Sequence, residues 1–233
     1  MIFPLKRLNN HIQSYDQKNG LVSIWGEIGV GKTTFSIQTA FLNSSLANSV
    51  IYIYTKQNLP LQRLKTMSQE FDKNILKDNF IIYRILNFNE LFDFILELEQ
   101  IIITLKNTRE KVKILVIIDS ITNLYQIELS KDKKSKNVIL NYQLNQILAT
   151  LSHLNINYLV DVLIVNYLRR IKQENQTIEI QSGGKVMDYW IDLSIKISRD
   201  KKLNYRNFVI STYPEKNPII FPSKLSKVGF ELD

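Results

Sequence analysis

The sequence predicts an α/β protein with a mostly parallel, doubly wound sheet and an antiparallel β extension at its C-terminal end. Three observations predict this fold. Short runs of apolar, β-branched residues alternate with helical stretches, and such alternation is typical of parallel strands joined by right-handed crossovers. A glycine-rich turn separates the first strand from the helix that follows it. After Trp190 the pattern changes to short alternating runs with tight turns, which indicates an antiparallel meander.

The individual elements follow from the same patterns. Five runs are nearly continuous in apolar residues, as strands buried on both faces are; they cover 21–25, 49–55, 80–85, 113–119 and 160–166. Helical patterns cover 33–45, 59–71, 89–106 and 137–154. We therefore expect a single core domain over 1–233, with a short helical segment in 1–20 and a β-hairpin extension in 190–233.

Composition excludes some functions and leaves others open. The chain has no cysteine, which excludes disulfides and cysteine-based zinc sites. The N-terminus lacks the apolar core of a signal peptide, and no apolar run is long enough for a bilayer. We therefore expect a soluble, cytoplasmic protein without a membrane partner. The net charge of +8 favours a polyanionic partner, although a general bias towards Lys, Asn and Ile also explains it.

The stretch "GEIGVGKTT" carries the strongest functional signal. It fits the phosphate-loop pattern G-x-x-x-x-G-K-[ST] at every fixed position and lies between a predicted strand and a predicted helix. Glycines let the backbone turn its N–H groups towards phosphates, and the lysine reaches the β- and γ-phosphates. We expect ATP to be bound by nine consecutive residues: Gly26, Glu27, Ile28, Gly29, Val30, Gly31, Lys32, Thr33 and Thr34.

A metal site is predicted beside this loop. The Thr33 hydroxyl is the expected Mg²⁺ ligand within the loop. Asp119 ends the apolar strand "KILVIID", and the carboxyl end of such a strand lies beside the phosphate loop. An aspartate at a strand end is often only a turn residue or a helix cap. In combination with the phosphate loop, however, the pattern favours a Mg²⁺ site formed by Thr33 and Asp119.

These motifs together resemble the RecA-like recombinase superfamily, in its archaeal RadA and RadB type. Three segments carry the resemblance: "GEIGVGKTTFSIQ", "KILVIIDSIT", and "VLIVNYLRR" with "QSGGKVMDYWIDLSIKIS" and the β tail. The resemblance implies a RecA-like P-loop NTPase core that binds ATP, Mg²⁺ and DNA. Little chain precedes Gly26, so we expect neither the helix-hairpin-helix domain nor the linker phenylalanine of RadA-type proteins. That layout is similar to the short, core-only RadB-like paralogues.

Three positions decide how far the resemblance extends to activity. Lys56 stands where RadA-like enzymes have the glutamate that activates water, and 50–69 contains no carboxylate that a shifted register could supply. A protonated amine cannot act as a base, so we predict weak or absent hydrolysis; a plain turn lysine is the alternative. Tyr167 follows Asn166 where the family has a γ-phosphate-sensing glutamine. Arg63 matches the arginine that stacks on adenine, although an ordinary helix-surface arginine is equally consistent.

The segment between the strand 160–166 and Trp190 matches the region that contains the family's two DNA-binding loops. The resemblance implies non-specific binding, most simply of single-stranded DNA, through Arg169, Arg170, Lys172, Gly183, Gly184 and Lys185. An ordinary polar loop is the alternative, because Glu174, Glu179 and Asp188 interrupt the basic pattern.

Three functional hypotheses remain open. The first is a RadB-like accessory protein of recombination and DNA repair, which assists the main recombinase or another repair protein. The second is a KaiC-like or motor-accessory ATP-binding switch with a protein partner. The third is a competent ATPase whose acid comes from a neighbouring subunit.

Overall fold

A computed structural model of the chain describes residues 1–14, 20–109, 111–129, 134–173, 176–211 and 218–231. Within these ranges the strands are β1 (Leu21–Gly26), β2 (Ser49–Tyr54), β3 (Phe80–Arg84), β4 (Ile114–Asp119), β5 (Asp161–Gln173), β6 (Gln176–Gln181), β7 (Leu193–Arg199), β8 (Tyr205–Ser211), β9 (Ile219–Ser226) and β10 (Gly229–Phe230). The helices are α1 (Lys6–Ser14), α2 (Lys32–Ser45), α3 (Leu61–Ser68), α4 (Lys73–Asn79), α5 (Phe88–Thr108), α6 (Ile121–Leu129), α7 (Lys134–Tyr158) and α8 (Gly184–Trp190).

The strands form one sheet in the order β10-β9-β8-β7-β1-β5-β4-β2-β3, with β6 paired to β5 outside this sequence of neighbours. All pairs from β7 through β1, β5, β4 and β2 to β3 are parallel. The pairs β7–β8, β8–β9 and β9–β10 are antiparallel. The predicted fold class, a mostly parallel sheet with a C-terminal antiparallel extension, is confirmed.

Both faces of the sheet are covered, which explains the almost uninterrupted apolar strands. Alternate residues of β4 belong to different layers of the core. Leu115 and Ile117 belong to the layer that contains Phe35 of α2. Val116 and Ile118 belong to the opposite layer, which includes the apolar faces of α5 and α7. The two layers hold the carboxyl ends of β1, β2, β4 and β5 at one edge, where the predicted site residues lie.

The C-terminal extension is attached to the helix that follows the phosphate loop. The Gln38 side chain donates to the Phe230 carbonyl at 2.8 Å and accepts from the Phe230 N–H at 2.9 Å. The ring of Phe230 also stacks edge-on against Phe35, with centroids 5.8 Å apart. Through these contacts β9 and β10 form one wall beside the phosphate loop.

The largest errors in the predicted boundaries concern one helix and one strand. The helix predicted over 59–71 ends at Ser68, and a separate helix, α4, begins after Asp72. The Asp72 carboxylate accepts from the N–H groups of Asn74 at 2.8 Å and Ile75 at 3.3 Å, so it caps a new helix instead of continuing the old one.

The strand predicted over 160–166 is also longer than expected. β5 continues to Gln173 and pairs with β6 in an antiparallel hairpin that runs from the pair Leu168–Gln181 to the pair Gln173–Gln176. The segment predicted as polar loops is therefore this β5–β6 hairpin, followed by the short helix α8. None of the helices in the described ranges is long and apolar enough to cross a membrane.

Candidate nucleotide site and DNA-binding surface

The phosphate loop joins β1 to α2 in a conformation that its glycines permit. Gly31 has φ +106° and directly precedes α2, and this left-handed region is costly for residues with a side chain. A Cβ at Gly31 would also lie 2.9 Å from Cζ of Phe230, and one at Gly26 would lie 2.1 Å from the carbonyl oxygen of Ile197. The tight fit fixes the loop at the N-terminus of α2, where backbone N–H groups favour anions.

Lys32 is folded back into the loop in this structure. Its ammonium donates to the carbonyl oxygens of Gly26 at 2.7 Å and Glu27 at 2.6 Å. Burial, with a smaller contribution from the neighbouring Lys56 ammonium, lowers the pKa of Lys32 to about 8. A bound triphosphate would have to replace these carbonyl contacts, and its charge would favour the protonated lysine.

The sheet register brings Lys56 and Asp119 together. β2 and β4 are parallel neighbours in which Tyr54 is paired with Asp119. The N–H of Thr55 donates to the Asp119 carbonyl at 2.9 Å, so Lys56 follows immediately beyond the paired ends. The Lys56 ammonium lies 2.6 Å from Oδ1 of Asp119 and 2.8 Å from Oγ1 of Thr33. It therefore contacts both oxygens that the sequence assigns to Mg²⁺.

Asp119 is completely buried, and its second oxygen also has a partner. The Tyr52 hydroxyl donates to Oδ2 of Asp119 at 3.1 Å and lies 2.7 Å from Oγ of Ser36. Burial and the Asp119 carboxylate raise the pKa of Tyr52 well above its usual value. Sequence reasoning missed Tyr52 and Ser36. The available signal was strand alternation, which places Tyr52 on the same face of β2 as Tyr54.

With Lys56 in this position, the residues do not fit a Mg²⁺ ion. Mg²⁺ requires oxygen ligands at about 2.0–2.1 Å, and the ammonium already hydrogen-bonds to both candidate ligands. A divalent ion about 4 Å from an ammonium is repelled by on the order of 8 kcal/mol at an effective dielectric constant of ~20. Within the described residues, no cluster of three or more His, Cys, Asp or Glu side chains offers another metal site. The assignment of Thr33 and Asp119 to Mg²⁺ stays a prediction.

Tyr167 lies beside both lysines. Its ring centroid is 5.2 Å from Nζ of Lys32 and 6.0 Å from Nζ of Lys56. Asn166 fixes the backbone here, because its side chain donates to the Ser182 carbonyl at 2.7 Å and accepts from the Tyr167 N–H at 2.7 Å. An aromatic face stabilises nearby cations, so Tyr167 offsets part of the repulsion between two adjacent ammonium groups.

An open groove of about 740 Å³ extends from the phosphate loop between α3 and the β9–β10 turn. Thr34 and Arg63 line it, together with Leu59, Pro60, Leu225 and Lys227. Arg63 is exposed on α3. A planar guanidinium at the edge of a groove next to the loop is suited to stacking on a base, but adenine recognition by Arg63 stays a prediction.

The six residues predicted to bind DNA are divided between two sides of the β5–β6 hairpin. Side chains alternate along a strand, so Arg169 lies on one face and Arg170 with Lys172 on the other. Four of the predicted residues line one groove of about 760 Å³: Arg169, Gly183, Gly184 and Lys185. Tyr125, Gln126 and Asn141 also line this groove, and sequence reasoning missed them because α6 and α7 are distant in the chain.

On the opposite face Arg170 is held by two carboxylates. It pairs with Glu27 of the phosphate loop and, at 3.0 Å, with Glu179 of β6. Lys196 of β7 reaches the same Glu179 at 2.8 Å. Arg170 therefore connects the hairpin to the phosphate loop, and only its remaining donors are available to a phosphate.

A comparison with known proteins assigns this arrangement to a family. A model of the family described as Rad51 matches residues 6–200, which include the phosphate loop, Asp119 and the hairpin. The chain belongs to the Rad51 family. The expected resemblance to RecA-like recombinases of the archaeal RadB type is thus confirmed.

Individual relatives agree with this assignment. The DNA repair and recombination protein RadB of Methanocaldococcus jannaschii is 32% identical over 183 residues, which cover 78% of this chain and 80% of the relative. The protein of the same name from Methanococcus maripaludis is 32% identical over 196 residues, covering 84% of this chain and 82% of the relative. A third, from Pyrococcus furiosus, is 29% identical over 117 residues, which cover 49% of this chain and 48% of the relative.

Proposed function

We propose that this chain is an ATP- and DNA-binding accessory protein of homologous recombination and DNA repair, with weak or absent ATP hydrolysis. The observation that carries the proposal is the position of the Lys56 ammonium, 2.6 Å from Asp119, beside an otherwise complete phosphate loop. In this role the protein assists the main recombinase or another repair protein.

Retention of ATP is supported by the loop and its surroundings. The complete G-x-x-x-x-G-K-[ST] pattern is held at the N-terminus of α2, and the adjoining groove contains Arg63. Weak hydrolysis is supported by the chemistry of position 56. An ammonium that donates to a carboxylate and a hydroxyl has no free electron pair with which to activate water, and no acid is available within 50–69.

The DNA-binding part rests on charge and on relatives. Arg169 and Lys185 line the same groove of about 760 Å³, together with Gly183 and Gly184. Cations along a groove bind nucleic acid by counterion release, without sequence preference. Relatives at 32% identity carry the name DNA repair and recombination protein. We propose single-stranded DNA as the ligand of this groove.

ATP turnover tests the hydrolytic part of the proposal. Purified protein should turn over ATP much more slowly than about one per second, the lower range of typical enzymes, with or without single-stranded DNA. Lys56→Glu introduces the glutamate that RadA-like enzymes have at the matching position, and it should raise ATP turnover. Lys65→Glu, the same charge reversal at an exposed position of α3, is the matched control and should leave turnover unchanged. Turnover of about one per second or faster by the unaltered protein would refute the role given to Lys56.

A salt titration tests the DNA-binding part. Single-stranded DNA should bind at low ionic strength, and the logarithm of the affinity should fall linearly with the logarithm of the salt concentration. Arg169→Ala and Lys185→Ala should each weaken binding and lower the salt slope by about 0.7. Lys77→Ala, which removes an exposed charge on α4, is the matched control and should change neither. An absence of salt-dependent binding would remove the DNA hypothesis.

A further inference from the structure

The Lys56 ammonium occupies the place between the two oxygens at which a P-loop protein of this kind would hold its divalent ion. It lies 2.8 Å from Oγ1 of Thr33 and 2.6 Å from Oδ1 of Asp119. These are hydrogen-bond distances to a cation, and the two acceptors come from separate elements, α2 and β4. Lys56 itself lies in the segment after β2, so its ammonium joins this segment to α2 and β4.

The surroundings of the ammonium are those of a structural counter-ion. Asp119 is fully buried, and a buried carboxylate requires a cation or hydrogen-bond donors. The hydroxyl of Tyr52 donates a hydrogen bond to Oδ2 of this carboxylate, and the Lys56 ammonium donates one to Oδ1. The rings of Tyr54 and Tyr167 lie 5.8 and 6.0 Å from Nζ of Lys56 and present aromatic faces that suit a cation.

The ammonium also remains accessible to a ligand. The Lys56 side chain is 24% exposed, whereas Asp119 is 0% exposed. A protonated lysine has three N–H donors, and among the described residues Thr33 and Asp119 accept from two of them. The third is available to a phosphate oxygen. Lys56 can thus bridge a triphosphate to Asp119, which is the structural task of the divalent ion.

We propose that Lys56 is a built-in substitute for the Mg²⁺ ion, and that this chain binds a nucleoside triphosphate without a divalent cation. The inference rests on the proposed function, because it assumes that the phosphate loop binds ATP. It goes beyond that function in naming the form of the ligand, the metal-free triphosphate, and the residue that selects it. Lys56 and Lys32 together then provide two fixed positive charges at the phosphates.

The test compares ATP binding in two buffers, one with EDTA and one with excess Mg²⁺, by titration calorimetry on the full chain. For the unaltered protein the dissociation constants should agree within about threefold, or be lower in EDTA. For Lys56→Met the site loses its own cation, and binding should be at least about tenfold tighter with Mg²⁺ than with EDTA. Lys65→Met is the control and should behave as the unaltered protein. Circular dichroism of each variant establishes that it is folded.

The outcomes separate this inference from the function on which it rests. If the unaltered protein binds ATP more than about threefold more tightly with Mg²⁺ than with EDTA, Lys56 does not replace the ion, while the ATP-binding function stands. If it binds ATP in neither buffer, the ATP-binding function itself is wrong and the inference falls with it. Both outcomes are read from the unaltered protein, so the test does not depend on the folding of Lys56→Met.

Discussion

Substitution of Lys56 by methionine should destabilise the folded protein, because it removes the cation from a buried carboxylate. Methionine preserves most of the length and apolar stem of the side chain, so the change isolates the ammonium. Among the described residues, Asp119 then keeps one hydrogen-bond donor, the Tyr52 hydroxyl 3.1 Å from Oδ2, and the Coulombic attraction of the Lys32 ammonium. A buried ionised carboxylate with one neutral donor is costly relative to water.

The expected magnitude follows from the exposure of the pair. Removal of one partner of a buried ion pair costs about 3–5 kcal/mol, and a hydrogen bond to a charged group contributes about 1.5–3 kcal/mol. Because the Lys56 side chain is 24% exposed, the lower part of this range applies. We expect a loss of about 2–3 kcal/mol in the free energy of unfolding. For a chain of this size the melting temperature should fall by about 4–12 °C.

Urea denaturation in metal-free buffer measures this loss. Lys65→Met serves as control, since Lys65 lies on the exposed face of α3 and should tolerate the same substitution with little change. A double variant with Asp119→Asn removes both charges together. It should be more stable than Lys56→Met alone by about 1–2 kcal/mol, because the buried charge is no longer left without a cation.

A Lys56→Met protein within about 0.5 kcal/mol of the unaltered one, the range of ordinary surface substitutions, would mean that Lys56 does not neutralise Asp119 in solution. A double variant that is less stable than Lys56→Met would contradict the same idea, because removal of the carboxylate charge should relieve the defect. Either result would also weaken the proposal that Lys56 takes the place of a metal ion.

Three further predictions concern the framework of the site. Gly31→Ala should cost about 1–3 kcal/mol in urea denaturation, because φ is +106° and the new Cβ would lie 2.9 Å from Cζ of Phe230; an unchanged midpoint would contradict it. Asp72→Ala should cost about 1 kcal/mol by the same assay through loss of the α4 cap. Arg170→Gln should leave global stability nearly unchanged but accelerate amide hydrogen exchange in β6, since it releases the contacts of the hairpin with Glu179 of β6 and with Glu27 of the phosphate loop; equal exchange rates would count against these contacts.

Much of the fold could be predicted because the buried strands are so uniform. A short β-branched run such as "ILVIID" is typical of a strand with both faces covered, and the phosphate loop fixes the position of the strand before it and the helix after it. Boundaries failed where a short polar signal competed with a longer pattern. Asp72 is a residue type that favours the start of a helix, but the apolar spacing across 59–71 favoured one continuous helix. In β6, Ile178 and Ile180 alternate with the polar residues Thr177 and Glu179, but the resemblance implied DNA-binding loops in this segment.

The contact between Lys56 and Asp119 could be predicted only in part. Both residues follow apolar strands, so the sequence places them at the same edge of a parallel sheet. It does not give the order of the strands, and only the adjacency of β2 and β4 brings the two side chains within hydrogen-bond distance. The division of the basic residues between two faces of the hairpin was likewise hidden, because it depends on where β5 ends.

Lys56 and Tyr167 are best understood together, because both lie beside Lys32. A lysine beside Lys32 adds a second ammonium to a confined site, and like charges at such distances repel each other. The neighbouring Lys56 is one cause of the lowered pKa of Lys32. The ring of Tyr167 lies 5.2 Å from one ammonium and 6.0 Å from the other, where a glutamine would offer only one amide. An aromatic face therefore suits a site that contains two lysines.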